Sequence, residues 1–439
     1  MCGGKAWGYM TTLQYGSTGP SVALHQLALK RAGFYGGETD GIFGRATEAS
    51  VREFQKSRGL KPDGISGART HRALMPWYLG YVIHTAVRGD TIYKIAAQHG
   101  SSVRAIEMAN PQLDPLDLRI GQSVVVPLDF DVVPDSIPYS SALVGYCARG
   151  LAARYPFLAL DEFGRSTLGR PLYSLTFGTG DARSLFAAAF HANEWITTPV
   201  LLKYVEELSK AYASGSEICG VSARELFEKC SVCFAPCVNP DGVDLVTGEL
   251  KSGSYYRSAK ALAENYPDIP FPSGWKANIL GVDLNLQFPA DWERAREIKF
   301  SQGYVSPGPR DYVGMAPLSA KESRAVYTLT NRLDPALILA YHTQGGVIYW
   351  QYLDFEPAGS RDIGDTLAAA SGYVLESTPY ASSFAGYKDW FISEYDRPGY
   401  TIEAGRGENP LPLTQFSEIY ADNRCLLTSA AAAAAGIDR

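Results

Sequence analysis

Ser184-Leu185-Phe186-Ala187-Ala188-Ala189-Phe190, followed at once by His191-Ala192-Asn193-Glu194-Trp195, decides the architecture of most of this chain. The apolar run reads as a strand, and Trp195 through Tyr212 carries the spacing of a helix. Helical segments such as Leu201 to Ala213 alternate with β-rich runs from about residue 139 to 430, a pattern that predicts α/β architecture. In an open α/β sheet, the loops after the carboxyl ends of strands line the ligand crevice. His191 stands at such an end. Leu337-Ile338-Leu339-Ala340-Tyr341 leads in the same way into His342, and these are the two histidines of the block.

Glu194 follows His191 by three residues, so one turn can present a nitrogen and a carboxylate to the same point. With a distant histidine added, two His and one Glu leave a fourth tetrahedral position open, the pattern of zinc bound for hydrolysis. Such a metal acidifies water and polarises a carbonyl. Alone, His-x-x-Glu is equally a capping glutamate beside a buried histidine. Tyr400-Thr401-Ile402-Glu403 adds a carboxylate at a third strand end, where it could take a proton from water and deliver it to a leaving amine.

The front of the chain is organised differently. Asp40-Gly41-Ile42-Phe43-Gly44-Arg45-Ala46-Thr47 returns as Asp63-Gly64-Ile65-Ser66-Gly67-Ala68-Arg69-Thr70. Each copy reads as a glycine turn followed by a Thr cap that opens a helix. Val51, Phe54 and Gln55 mark an amphipathic helix between them, and Val22 to Leu29 another, giving a small all-α module over residues 13–76. Residues 81–128 read as β-α-α-β: Tyr81 to Thr85 alternates, Gly89-Asp90-Thr91 turns and caps, and Val124-Val125-Val126-Pro127 closes the unit. Residues 129–138, with their acids and prolines, read as a linker. The fold expected is therefore an α/β catalytic domain over 139–430, a mixed sheet flanked by helices, preceded by the two small modules. Residues 431–439 follow as an Ala-rich tail, in which the alanines from Ala430 either extend a terminal helix or fray.

Residues 13–76 resemble the peptidoglycan-binding type 1 domain through the paired turns and Phe54-Gln55. Residues 81–128 resemble a LysM domain through Gly89-Asp90-Thr91 and Gly121-Gln122; such domains bind N-acetylglucosamine-containing glycans. The large block resembles the metallocarboxypeptidase (carboxypeptidase A-like) family. The resemblance is carried, in order, by His191 to Thr197, Asn239-Pro240-Asp241-Gly242, Gly281-Val282-Asp283-Leu284-Asn285, His342, and Asp389-Trp390 with Glu403. It implies one zinc held by His191, Glu194 and His342, with Glu403 as general base. Trp275-Lys276-Ala277-Asn278 resembles the segment whose arginine polarises the scissile carbonyl; Lys276 stands in its place as a cation for the oxyanion. Tyr380 is the nearest match to the family's mobile tyrosine.

One departure is informative. The family reads Asp-x-Asn-Arg-Asn-Phe, with Asn and Arg gripping the substrate's terminal carboxylate; here Asp283-Leu284-Asn285-Leu286-Gln287-Phe288 stands. Asn285 can still bind substrate, but leucine cannot replace a bidentate arginine. Arg406 and Arg257 are the candidates to compensate. A metallopeptidase with wall-binding modules and no such arginine resembles the bacterial γ-D-glutamyl-L-diamino acid endopeptidase branch, which cuts between γ-D-Glu and meso-diaminopimelate in stem peptides. Peptidoglycan glycan and stem peptides are the partners this implies. The alternatives are a carboxypeptidase removing C-terminal residues and a non-catalytic wall-binding protein.

Composition supplies exclusions. Lys and Arg number 40 against 46 Asp and Glu, a net charge of −6, so no basic field invites nucleic acid. No apolar run is long enough for membrane insertion. Seven cysteines, an odd number, argue for a reduced chain without a disulfide framework. Cys230, Cys233 and Cys237 lie in an apolar strand-like stretch and read as core rather than as a second metal site, while Cys2, Cys147, Cys219 and Cys425 have no informative spacing. His25, His71, His84 and His99 read as surface or capping residues. The opening Met-Cys-Gly-Gly-Lys-Ala-Trp shows no standard signal peptide. That points to the cytoplasm and the wall-binding modules point outside it; related endopeptidases act on wall material from inside, in sporulation or recycling.

Overall fold

The two Asp-Gly-Ile-x-Gly turns fold as one device used twice. In the first, the Gln26 amide donates to Asp40 Oδ1 (2.8 Å), Ile42 O (3.1 Å) and Thr47 Oγ1 (3.1 Å), and its carbonyl accepts from Gly41 N (2.9 Å). In the second, Gln55 repeats the set with Asp63 (3.0 Å), Ile65 (2.9 Å), Thr70 (3.1 Å) and Gly64 (3.0 Å). Gly41 and Gly64 hold φ of 73° and 75°, which a side chain would oppose. The helices α1 (Pro20–Arg31), α2 (Arg45–Ser57) and α3 (Ala68–Leu79) are laid out by these turns. Gly44 and Gly67, not the threonines, stand at the N-caps of α2 and α3. Thr47 and Thr70 lie inside the first turn because their hydroxyls are taken by the glutamine amides.

Both glutamines are buried, so Gln55→Leu strands the Gly64 N–H in the interior and takes from the Thr70 hydroxyl its donor. A loss of about 2–3 kcal/mol is expected in the stability of this module. Denaturant titration should show a lowered midpoint for its transition; an unchanged midpoint would mean the network is ornamental.

The structure is a computed structural model that describes residues 11–436; Cys2 and the rest of the opening segment lie outside the described residues. It divides into two units, one ending at Pro156 and the other beginning at Phe157. In the first unit, His25 and His71 are buried rather than at the surface. Their Nδ1 atoms meet the Tyr78 hydroxyl at 2.8 and 3.0 Å, because α1 and α3 turn them towards one another. Strands β1 (Tyr81–Thr85) and β2 (Ser123–Pro127) pair antiparallel around α4 (Ile92–His99) and α5 (Val103–Ala109), over a core of Ile92, Ile95, Ile106, Val124 and Val126. Thr91 caps α4, as its place after Gly89-Asp90 predicts. His84 is held between His99 (3.1 Å) and Asp90 (2.8 Å).

The division between the two units falls after Pro156, while the linker expected from sequence ends at residue 138. Helix α6 (Ser141–Arg154) belongs to the first unit: Arg154 donates to Gly80 O (3.0 Å) and Phe130 O (2.7 Å). The supposed linker buries Val132, Val133 and Ile137. Its acids and prolines conceal three apolar anchors.

The second unit is built on an eight-stranded mixed sheet. In chain order its elements are β3 (Ala159–Arg165), β4 (Pro171–Phe177), β5 (Ala182–Ala188), α7 (Thr197–Ser214), the hairpin β6 (Glu217–Ile218) and β7 (Val221–Ser222), α8 (Ala223–Lys229) and β8 (Cys230–Ala235). Helices α9 (Pro240–Val246), α10 (Gly253–Ala263), α11 (Trp292–Ser301) and α12 (Lys321–Leu333) precede β9 (Leu337–His342) and β10 (Val347–Tyr349). The chain closes through α13 (Ser360–Ser371), β11 (Val374–Glu376), α14 (Tyr387–Tyr395), β12 (Gly399–Glu403) and α15 (Phe416–Ala434). The strand order is β11-β10-β12-β9-β5-β8-β4-β3, with β8, β5, β9 and β12 parallel at the centre. Leu185, Ala187, Ile338 and Ala340 are buried there, as their runs predict.

Cys230, Cys233 and Cys237 are core residues whose thiols burial pushes up to about 12, 11 and 12. Cys219 and Cys425, in contrast, form a disulfide across 206 residues. The reduced chain expected from the odd count is thereby corrected; only the return of α15 brings the two thiols together. The alanine run is not a tail: α15 continues to Ala434 with Ala430, Ala431 and Ala432 buried.

Candidate active site

Three neighbouring parallel strands, β5, β9 and β12, end at one edge of the sheet. Ala188 pairs with Tyr341 and His342 with Glu403, so both histidine-bearing segments and the carboxylate arrive side by side. Past β5 the chain turns into a short 3-10 segment, Ala192–Glu194, that folds Glu194 back under His191. Asn239 fastens this turn, its amide donating to Phe190 O (3.2 Å) and Ala277 O (3.0 Å). Gly242 is required beside it, since a Cβ there would lie 2.7 Å from the Ala192 Cβ and 2.8 Å from Ala277 O. The Asn-Pro-Asp-Gly segment therefore joins two site loops.

His191 Nδ1 lies 3.0 Å from Glu194 Oε1 and His342 Nδ1 lies 3.0 Å from Glu194 Oε2. The two Nδ1 atoms face each other at 2.9 Å. All three side chains are buried and form a group that could hold a metal ion. His191 Nε2 is engaged by Asp283 Oδ1 at 3.0 Å, which orients the ring and leaves the Nδ1 lone pair directed at His342. Ring nitrogens and carboxylate oxygens converging this closely need a cation between them. Two imidazoles, one carboxylate and an orienting aspartate are a donor set that fits zinc.

The charges around this point are strongly coupled. Burial opposes ionisation of Glu194, yet His191 and Lys276 outweigh it and hold the carboxyl well below the usual range. Burial also works against the Lys276 ammonium, but Glu194, Asp283 and Asp311 more than offset it and raise its pKa. Lys276 Nζ lies 3.7 Å from Glu194 Oε1. Burial, and then the negative charge of Glu194, push the Glu403 carboxyl up to about 8.

One pocket contains His191, His342, Glu403, Lys276 and Asn285 of the residues expected from sequence. Asn285 Oδ1 accepts from Tyr387 N at 3.0 Å, which fixes its side chain. Tyr380 is not among the lining residues. It is 59% exposed, with its ring edge-on to Phe384, on a segment whose Thr378, Pro379 and Ser382 do line the pocket. Arg406 is also outside: Gly405, at φ 74°, turns the chain away, and the exposed arginine lies over Gly346. Arg257 is exposed on α10. Sequence reasoning gave no role to Asp283, although it stands in a quoted motif, and passed over Lys299, Asp311 and Lys388, which line the pocket with no motif to mark them.

A mixed α/β sheet with a two-histidine, one-glutamate donor set at its carboxyl edge defines a metallohydrolase. The chain belongs to the zinc carboxypeptidase family, which matches residues 146–425. Residues 18–74 match the putative peptidoglycan binding domain and residues 84–127 the LysM domain. Over 270 residues the chain is 43% identical to gamma-D-glutamyl-L-diamino acid endopeptidase 1 of Lysinibacillus sphaericus, covering 62% of this chain and 66% of that protein, just under two thirds of its length. Over 331 residues it is 38% identical to the uncharacterized protein YqgT of Bacillus subtilis (strain 168), covering 75% and 84%. The crystal structure of thrombin activatable fibrinolysis inhibitor shares the fold, with a TM-score of 0.55 at 16% identity, covering 73% of this chain and 90% of that one. The chain thus joins a domain of the zinc carboxypeptidase family to a peptidoglycan-binding module and a LysM module. No described helix is long and apolar enough to cross a membrane.

Proposed function

We propose that this peptidase hydrolyses peptidoglycan stem peptides at the bond between γ-D-Glu and meso-diaminopimelate. The observation that carries the reading is a pocket with the zinc donor set at one side and three lysines, Lys276, Lys299 and Lys388, but no arginine, in its lining. A γ-linked amide leaves a free α-carboxylate beside the scissile bond, and diaminopimelate brings further carboxylates and an amine, so a pocket whose lysines stand together with Asp283, Asp311, Asp389 and Glu403 can meet charges of both signs in such a substrate. The two wall-binding modules and the relative named for this cleavage support it.

His191, Glu194 and His342 would hold the zinc, which when bound acidifies water and polarises the scissile carbonyl. Glu403 accepts a proton from the attacking water and passes it to the departing amine of diaminopimelate. Lys276 faces the oxygen that becomes negative as water adds, and Asn285 orients the peptide. Water is added across the amide: the C–N bond breaks, leaving L-Ala-D-Glu with a γ-carboxylate and diaminopimelate with a free amine.

Mass spectrometry of L-Ala-γ-D-Glu-meso-diaminopimelate-D-Ala after incubation tests this. Chelator-sensitive release of L-Ala-D-Glu is expected; loss of D-Ala alone would make the protein a carboxypeptidase. Lys276→Met should lower kcat by about 10²- to 10³-fold with little change in KM, as loss of an oxyanion donor does elsewhere. A rise confined to KM would place Lys276 in ground-state binding instead.

A further inference from the structure

The three pocket lysines are not equivalent. Lys388 is buried, donates to Gln351 O (2.5 Å) and Thr378 Oγ1 (3.2 Å), and is ion-paired with Asp389 Oδ1 (2.5 Å). It is a neutralised part of the wall. Lys276 stands against Glu194. Lys299, reaching in from α11, donates to Asp311 Oδ1 at 2.7 Å, its one hydrogen-bond partner among the described residues. Its other two N–H bonds meet no protein acceptor among the described residues.

The neighbouring carboxylates do not take up that capacity. Asp311 is shared, its Oδ2 lying 2.5 Å from Arg310 Nε. Asp283 Oδ1 is occupied by His191 Nε2 (3.0 Å) and Asn285 N (3.1 Å), and its Oδ2 accepts from Asp311 N (3.3 Å). Asp311 adopts a left-handed backbone at φ 62°, uncommon for a residue other than glycine, and that conformation sets its carboxylate between Lys299 and Arg310. The ammonium is thus anchored on one bond and partly buried, at 13% exposure. Leu286 lines the same pocket and offers no charge.

We infer that Lys299, anchored by Asp311, is the specificity-determining residue that binds a free carboxylate of the stem peptide. The inference rests on the proposed substrate, in which that carboxylate is either the α-carboxylate of γ-D-Glu or one carried by diaminopimelate. Recognition of a carboxylate in this pocket comes from α11, not from either arginine the sequence suggested.

The test uses the full-length zinc-loaded protein and three tripeptides: L-Ala-γ-D-Glu-meso-diaminopimelate, the same with the D-Glu α-carboxylate amidated, and the same with both diaminopimelate carboxylates amidated. Lys299→Met is expected to lower kcat/KM on the free-acid peptide by about 10- to 100-fold, the cost of a charge-assisted hydrogen bond. On the analogue that lacks the contacted carboxylate, the substitution should cost nothing further, and that analogue identifies the group. Lys299→Arg should restore most of the loss. An equal factor on all three peptides, or no loss, overturns the inference. Cleavage at a bond other than γ-D-Glu–diaminopimelate would refute the proposed reaction, while the same ratios would still judge Lys299. If no bond is cut, calorimetric titration with the free-acid peptide decides: a Kd weakened by that factor in Lys299→Met supports the inference, and an equal Kd overturns it.

Discussion

Glu403→Gln is expected to lower kcat by about 10²- to 10⁴-fold while zinc content and melting temperature stay at their wild-type values. Glu403 lies at the end of β12, across from His342 in strand register, and is not one of the three donors that converge. Its loss should therefore not release the metal. Glutamine keeps the size and a carbonyl acceptor but cannot carry a proton from water to the amine. The fold should accept it, because burial and Glu194 already disfavour a charge at this position. Elemental analysis alongside stem-peptide turnover checks both halves. Retained turnover would remove Glu403 from the mechanism, and lost zinc would make it a ligand.

The site was legible in the sequence where its residues are fixed by strand ends. Apolar runs announce β5 and β9, and the residue after such a run in a parallel sheet has little choice of where to go. His191, His342 and Glu403 meet for that reason, and Glu194 follows from its offset within one turn. Lys276 lies on a loop and Asn285 on a short 3-10 turn, yet short motifs pin them, and the Asn239 amide shows why such motifs are needed.

What the sequence hid depends on long-range returns of the chain. Lys299 and Asp311 come from a helix and a loop whose own patterns are ordinary; only their approach to Asp283 gives them meaning. Cys219 and Cys425 are joined by the packing of α15, which no spacing encodes. Arg406 is, from sequence, a candidate to replace the missing arginine, but the left-handed Gly405 turns it out. In the N-terminal module the repeat was plain in the turns and invisible in their glutamines. Gln26 precedes Asp40 by 14 residues and Gln55 precedes Asp63 by 8, so an alignment of the turns does not align the side chains that hold them.

His342→Ala and Asp283→Asn should separate ligation from orientation at the metal site. Removing His342 takes away one of three converging donors and leaves Glu194 and His191 alone around a buried space. Zinc should then be lost on ordinary desalting, and turnover with it. Asp283 is not one of those donors; it accepts from His191 Nε2 and from the Asn285 and Asp311 amides. An asparagine there can turn its carbonyl or its amide towards His191, but it carries no charge to favour the Nε2–H tautomer that leaves Nδ1 bare. The expected cost is about 10- to 100-fold in zinc affinity, the range for partners of a metal-bound histidine. Turnover should recover at saturating zinc, which the His342→Ala protein cannot match. Competition titration against a chromophoric chelator measures both constants. Equal losses in the two variants would mean that Asp283 supports the fold of the loop more than the histidine.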